Sequence, residues 1–150
     1  MIPGTLREWA VHEVLRYEGR PYIWGADNPM KGLFDCSGLQ IHVLQTVGEL
    51  PFGFDTTAAG LFARYRGVGK ELKLPPFPPG CLVFFSDYSD PARIKHVEMV
   101  LGCDLAIGAA GGGDHTLTEA DAYRQNAFVK IRPILGPHRP RFIFYADPFA

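Results

Sequence analysis

The sequence predicts an α+β domain in which helices come first and strands follow, with a mainly antiparallel sheet packed against one of the early helices. Three observations predict it. Apolar residues recur at helical spacing in the first half of the chain, through about Arg66. The stretch Leu74-Pro75-Pro76-Phe77-Pro78-Pro79-Gly80 then excludes both a helix and a central strand, so it is an extended connector. Beyond it come short, β-prone apolar runs separated by turn residues. A chain of 150 residues, 47% hydrophobic and 21% charged, is expected to form one domain over 1–150 with a core large enough to need no staples.

Taken in order, Thr5-Leu6-Arg7-Glu8 has the form of a capping box. Leu6, Trp9, Ala10, Val14 and Tyr17 then fall near one helical face, which ends before Gly19. Gly19, Pro21, Gly25, Asn28, Pro29 and Gly32 break any regular element. Helical spacing returns in Leu39, Ile41, Val43, Leu44 and Val47 until Gly48, which places Cys36 at or near a helix N-terminus. Pro51-Phe52-Gly53-Phe54 makes a turn, and Asp55-Thr56 caps a third helix running to about Arg66 before Gly67 and Gly69. Residues 81–85, 94–101 and 105–110 read as strands, the last two joined by Gly102-Cys103-Asp104 as a tight hairpin. Residues 114–126 form a loop with a short helix that Thr118 and Asp121 can cap, and 127–131 and 141–146 complete the strands.

Charge and composition exclude several classes. The net charge is -1 without a Lys/Arg run, so the electrostatic footprint of nucleic-acid binding is absent. No apolar segment approaches ~18 residues, which excludes a membrane-spanning helix. Three cysteines, Cys36, Cys81 and Cys103, include no close pair and no C-x-x-C, against both a disulfide framework and a zinc site. No metal or other cofactor is expected. Gly111-Gly112-Gly113-Asp114-His115 lacks the Lys-Ser/Thr of a phosphate loop and leaves a strand, so it borders a cleft at most. The N-terminus has no basic segment followed by an apolar one, so no signal peptide is expected and the location is left open between the cytoplasm and delivery by a phage or a dedicated export route.

Cys36 is where a reactive side chain meets unusual backbone. Unpaired amides and the positive end of a helix dipole favour a thiolate there; the alternative is a buried, inert thiol. A cysteine nucleophile needs a base, and five histidines are available. His12 and His42 lie within predicted helices, and His138 lies in a solvated loop. His96 opens a strand, before the alternation Val97, Met99, Leu101, so it projects from the end of the sheet that packs on the cysteine helix.

The strings Tyr22-Ile23-Trp24-Gly25, Asp35-Cys36-Ser37-Gly38-Leu39, Gly80-Cys81-Leu82-Val83-Phe84-Phe85 and His96-Val97-Glu98-Met99-Val100-Leu101-Gly102 resemble the NlpC family of papain-like cell-wall cysteine peptidases, over about residues 5–147. Cysteine before histidine matches the unpermuted members. The resemblance implies a papain-like domain that hydrolyses an amide in peptidoglycan stem peptides or muropeptides, most often between D-γ-glutamate and a diamino acid. Cys36 is then the nucleophile, His96 the base, and backbone amides near Cys36 the oxyanion site. Tyr22, Asp35 and Ser37 match positions that contact the substrate's free amine or shape the pocket; alternatively Asp35 is a plain N-cap and Tyr22 a core residue. The same fold also fits an amidase or acyl transferase, and a non-catalytic binding domain is the reading from another class. Three settings suit such a domain without a wall-binding module or leader: a phage or mobile-element lysis or tail enzyme, an exported toxin, or an enzyme recycling wall peptides. The compact size and the segment Ile107-Gly108-Ala109-Ala110-Gly111-Gly112-Gly113 resemble small phage-borne members, which favours the first.

Two departures from the family pattern are linked. Family members often carry a polar residue, commonly histidine, twelve positions after the catalytic histidine, where this chain has Gly108; two after the histidine they carry glycine, where this chain has Glu98. In the predicted hairpin, 98 and 108 lie opposite or nearly so, and 96 and 98 share a face. Glu98 is therefore expected to replace the missing partner and orient His96. The alternatives are a solvated Glu98 with the imidazole held by water or a backbone carbonyl, and His115 as third partner. Cys81, where the family has aspartate, reads as a small buried side chain.

Overall fold

In the computed structural model, which describes residues 4–137, 139 and 143–150, helix α1 (Leu6–Leu15) opens with the predicted capping box: Thr5 accepts from the Glu8 amide, and the Glu8 carboxylate accepts from the Thr5 amide. Its buried strip is narrower than the periodicity implies. Ala10 and Val14 are fully buried, whereas Leu6 and Trp9 stay about half exposed, because a ten-residue helix set on the rim of the core presents only one row to it. The following segment, expected to hold no regular element, contains a minimal antiparallel ladder of β1 (Asp27–Asn28) and β2 (Leu33–Phe34).

Helix α2 (Cys36–Thr46) is the spine of the core. Leu39, Ile41, Val43 and Leu44 are buried as their spacing predicts, and Gln40, also fully buried, donates from Nε2 to the Ile107 carbonyl at 3.1 Å. Helix α3 (Ala58–Gly67) begins later than expected. Thr57, not Asp55 or Thr56, is its N-cap and accepts from the Gly60 amide at 3.1 Å. The Thr56 side chain instead occupies the space a Cβ at Gly60 would need.

The strands β3 (Glu71–Leu72), β4 (Leu82–Ser86), β5 (Ile94–Gly102), β6 (Leu105–Ala110), β7 (Phe128–Pro133) and β8 (Ile143–Ala146) form one sheet in the order β3-β8-β4-β5-β6-β7, and every neighbouring pair is antiparallel. Helix α4 (Glu119–Gln125), with a capping box of Thr118 and Asp121, lies between β6 and β7. The α+β expectation holds, and the strand limits shift by a residue or two. β3 was not expected, and the start of the predicted last strand, residues 141 and 142, lies outside the described residues, as does His138. The β5–β6 turn is the two-residue loop Cys103-Asp104, both in the left-handed region (φ 52° and 59°), which matches the twist of the flanking strands.

Alternation along the strands divides the core in two. Leu82, Phe84, Val97, Met99, Ile107 and Ala109 face the helices. Cys81, Val83, Phe85, Val100 and Ala106 face the other way, with Ile134, beside the stacked rings of Phe77 and Tyr145. Because Phe85 pairs with His96 and Val83 with Glu98, both polar side chains belong to this second face. Among the described residues no helix is long and apolar enough to cross a membrane.

Candidate active site

Cys36 is the first residue of α2, and Asp35 before it does more than cap. Its Oδ1 accepts from the Gly38 amide at 2.7 Å and from Ser37 Oγ at 3.3 Å, and its Oδ2 accepts from the Gly25 amide at 3.1 Å. Burial nonetheless pushes the carboxyl above its ordinary value, against these donors. One side chain thus ties the turn at Gly25 to the first helical turn. Gly38 makes the approach possible: a Cβ there would lie 2.3 Å from the Ala26 carbonyl oxygen. The Cys36 side chain is half-buried, and its Sγ–H points to the Lys95 carbonyl at 4.0 Å, which sets it beside His96.

The imidazole is held from the other side. His96 Nε2 lies 2.8 Å from Glu98 Oε2, leaving Nδ1 for the sulfur. Burial opposes charge on His96, but hydrogen bonding to Cys36 and Glu98 and the attraction of both raise its pKa to about 9. Glu98 is itself fully buried. Burial would raise its carboxyl, yet His96 and Arg139 together hold it well below the usual carboxylate range. Arg139 forms a two-pronged pair with it, Nη2 to Oε1 at 2.8 Å and Nη1 to Oε2 at 3.0 Å, and Arg132 Nη2 reaches Oε2 at 2.7 Å. The Arg139 guanidinium also lies over the Phe85 ring, 4.6 Å from its centroid.

The expected juxtaposition of 98 and 108 is present: a Cβ at Gly108 would sit 2.6 Å from Glu98 Cγ. The side chain absent at Gly108 leaves the room that Glu98 fills. Gly108→Ala is accordingly expected to cost about 1–3 kcal/mol through overpacking, and much less in a Glu98→Gly background; a double-mutant cycle on thermal unfolding measures the coupling. His115, the reserve third partner, does not join the network. Its side chain is 94% exposed beside Asp114, and Glu98 already occupies the imidazole. His42 lies within α2 as expected, bonded to the Tyr17 hydroxyl at 2.8 Å, and His12 is exposed on α1.

Two clefts meet at Cys36 and share Tyr22, Trp24, Cys36 and Lys95. One, of about 520 Å³, is basic on its His96 side, where Arg93, Lys95, Arg132 and Arg139 line it, and the Gly111-Gly112-Gly113 run forms its rim. The other, of about 370 Å³, is acidic, with Asp27, Asp35 and Asp55 beside Ser37. Tyr22 is nearly buried and packs its ring on Gly112, where a Cβ would lie 2.3 Å away. Burial, then the charges of Cys36, Asp35 and Asp114, push its phenol above the ordinary value, so it stays a hydroxyl donor. Ser37 is buried against Asp35. Among the described residues no group of three or more His, Cys, Asp or Glu is placed to hold a metal ion. Arg132 and Arg139 escaped the sequence reading. The only signal for them was indirect: a glutamate buried in a central strand needs cations, and nothing local says where they lie.

The NlpC/P60 family model matches residues 19–132. The bifunctional muramidase/DL-endopeptidase CwlT of Bacillus subtilis is 35% identical over 95 residues, 63% of this chain and 26% of that protein. The gamma-DL-glutamyl hydrolase of the same organism is 29% identical over 131 residues, 87% of this chain and 30% of that protein. The chain thus spans less than a third of the length of either relative. In fold, it superposes on NlpC2 from Trichomonas vaginalis with a TM-score of 0.71 at 19% identity, covering 98% of this chain and 48% of that one.

Proposed function

Because the chain belongs to the NlpC/P60 family, we propose that it is a cysteine peptidase that cleaves an amide bond in peptidoglycan stem peptides, with Cys36 as nucleophile, His96 as base and Glu98 as the residue that positions His96. The observation that carries this reading is the arrangement itself: a half-buried cysteine opening a helix at the junction of two clefts, against a histidine whose far nitrogen is fixed by a buried carboxylate. A structural thiol has no use for such an arrangement.

The reaction follows from these groups. The Cys36 sulfur gives its proton to His96 and attacks the substrate carbonyl carbon, forming a C–S bond and an oxyanion. The Gly38 amide is committed to Asp35 and the Leu39 amide to the Asp35 carbonyl. The amides of Cys36 and Ser37, which have no intrahelical acceptor, are left to receive the oxyanion. His96 returns the proton to the departing amine as the C–N bond breaks. Water then gives a proton to His96 as its oxygen attacks the thioester, and the C–S bond breaks to release a carboxylic acid while His96 returns that proton to the sulfur.

The bond we assign joins D-γ-glutamate to a diamino acid. Support comes from the names of the two relatives, a DL-endopeptidase and a gamma-DL-glutamyl hydrolase, and from the acidic groove, in which Asp35, Ser37 and Tyr22 offer a site for a stem peptide's free amine. The likeness of residues 107–113 to small phage-borne members of the family supports a lysis or tail role; attack on intact cell walls is then expected, and activity confined to soluble muropeptides would point to recycling of wall peptides instead. Mass spectrometry of defined muropeptides tests the bond. One pair of products split after D-γ-glutamate is expected; cleavage at the sugar–peptide amide, or acyl transfer to an added amine, would identify an amidase or a transferase instead.

A further inference from the structure

We propose that Arg132 and Arg139 are positioning residues that act through Glu98: they discharge its carboxylate so that it orients His96 without holding the imidazolium proton too tightly to be returned to the leaving amine. The inference rests on the assignment of Cys36 and His96 above and extends it to two residues that touch neither.

The case begins with what a carboxylate costs in this place. A neutral acceptor on Nε2 fixes a ring without adding charge. A buried, fully charged carboxylate also fixes it, but stabilises the imidazolium far more, because attraction is poorly screened in the interior. General acid catalysis needs a proton that leaves on demand. The distribution of donors on Glu98 answers that need. Oε2, the oxygen that meets His96, is also bonded by Arg132 Nη2 at 2.7 Å and Arg139 Nη1 at 3.0 Å, while Oε1 takes Arg139 Nη2 at 2.8 Å. Two cations therefore share the oxygen that faces the imidazole. Their placement is not incidental to packing. Arg139 is only 8% exposed and comes from the segment after β7, and Arg132, 33% exposed, comes from β7 itself, so two separate parts of the chain converge on one carboxylate. The charged groups around His96 are Cys36 on α2, Glu98 and the neighbouring Lys95 on β5, Arg132 on β7 and Arg139 beyond it, with the Arg93–Asp87 pair on the same cleft and the uncharged Phe85 ring on β4 at 5.6 Å; of these, Arg132 and Arg139 are the cations bonded to the carboxylate that meets the imidazole.

The proposal fixes opposite signs for two sets of variants. Removing a cation raises the His96 titration midpoint; removing the carboxylate lowers it. Following the His96 ring by NMR in the free enzyme, Arg139→Gln is expected to move the midpoint up by on the order of one pH unit and Glu98→Gln to move it down by a similar amount. The alkaline limb of kcat/KM should move with each. Arg132→Gln, at a more exposed position, should shift the midpoint upward by less and serves if Arg139→Gln does not fold. Arg139→Lys, which keeps the charge but not the fork, should leave the midpoint near wild type while lowering kcat. Arginine variants that leave the midpoint in place, or lower it as Glu98→Gln does, would overturn the proposal. Cys36→Ala separates this from failure of the underlying assignment: a midpoint it leaves unmoved means that sulfur and imidazole do not form a pair, whatever the arginines do.

Discussion

Alanine in place of Cys36 is expected to lower turnover of a defined muropeptide by at least about three orders of magnitude, since removing a nucleophile takes away the covalent route and leaves only binding and oxyanion stabilisation. Serine should do nearly as badly, because a hydroxyl does not give up its proton to imidazole at neutral pH as a thiol does. Neither change should unfold the protein. The side chain is half-buried at the first position of α2, and the cap that starts the helix belongs to Asp35. A thermal midpoint close to wild type together with lost turnover is therefore the expected pair of results. The other two thiols make the companion experiment readable. Cys81 is sealed in the second core, and burial pushes its thiol up to about 12, so alkylation near neutral pH should pass it by. Cys103 is exposed on the β5–β6 turn and supplies a slow background that Cys103→Ser removes. Fast labelling confined to Cys36 is expected. Labelling of Cys36 no faster than the Cys103 background would return this residue to the class of inert thiols and support a non-catalytic binding domain.

The parts of this site that local rules govern were legible in the sequence. Asp35, Cys36 and the glycines around them announce a helix start, and strand alternation puts His96 and Glu98 on one face. Even the exchange between 98 and 108 could be anticipated, because a tight hairpin fixes which residues oppose each other. What escaped depended on contacts between distant segments. Arg139 meets Glu98 across 41 residues of chain and Arg132 across 34, and neither spacing nor composition encodes such a meeting. The same holds for Leu6 and Trp9, whose periodicity was right for a helix but not for its depth in the core. The start of α3 failed for a different reason: Asp55, Thr56 and Thr57 all make good caps, and with the Thr56 side chain packed into the space beside Gly60 it is Thr57 that caps the helix.

The second large effect concerns stability. Glu98→Ala is expected to destabilise the fold by about 3–5 kcal/mol, because it strands the buried Arg139 guanidinium, with Arg132 beside it, and no counter-charge remains. Glu98→Gln should cost less, since its amide oxygen still accepts from one of the guanidinium groups. The pH dependence identifies the cause. Glu98 has its carboxyl depressed in the folded state, so its contribution is present above the ordinary value of 4.5 and is lost as pH falls below it. His96 is raised from 6.5 to about 9, so its contribution is complete below 6.5 and is lost as pH rises toward 9. The network is therefore most stabilising between about pH 4.5 and 6.5, with loss on both sides. Denaturant unfolding of wild type and Glu98→Ala followed on both sides of that window should give curves that lie furthest apart inside it, approach each other as the pH falls below 4.5, and close only in part as it rises toward 9, because the arginine pairs with Glu98 persist there. A separation that does not change with pH would mean that the substitution acts by leaving a cavity beside Gly108, and that the charges around Glu98 contribute little to holding the sheet together.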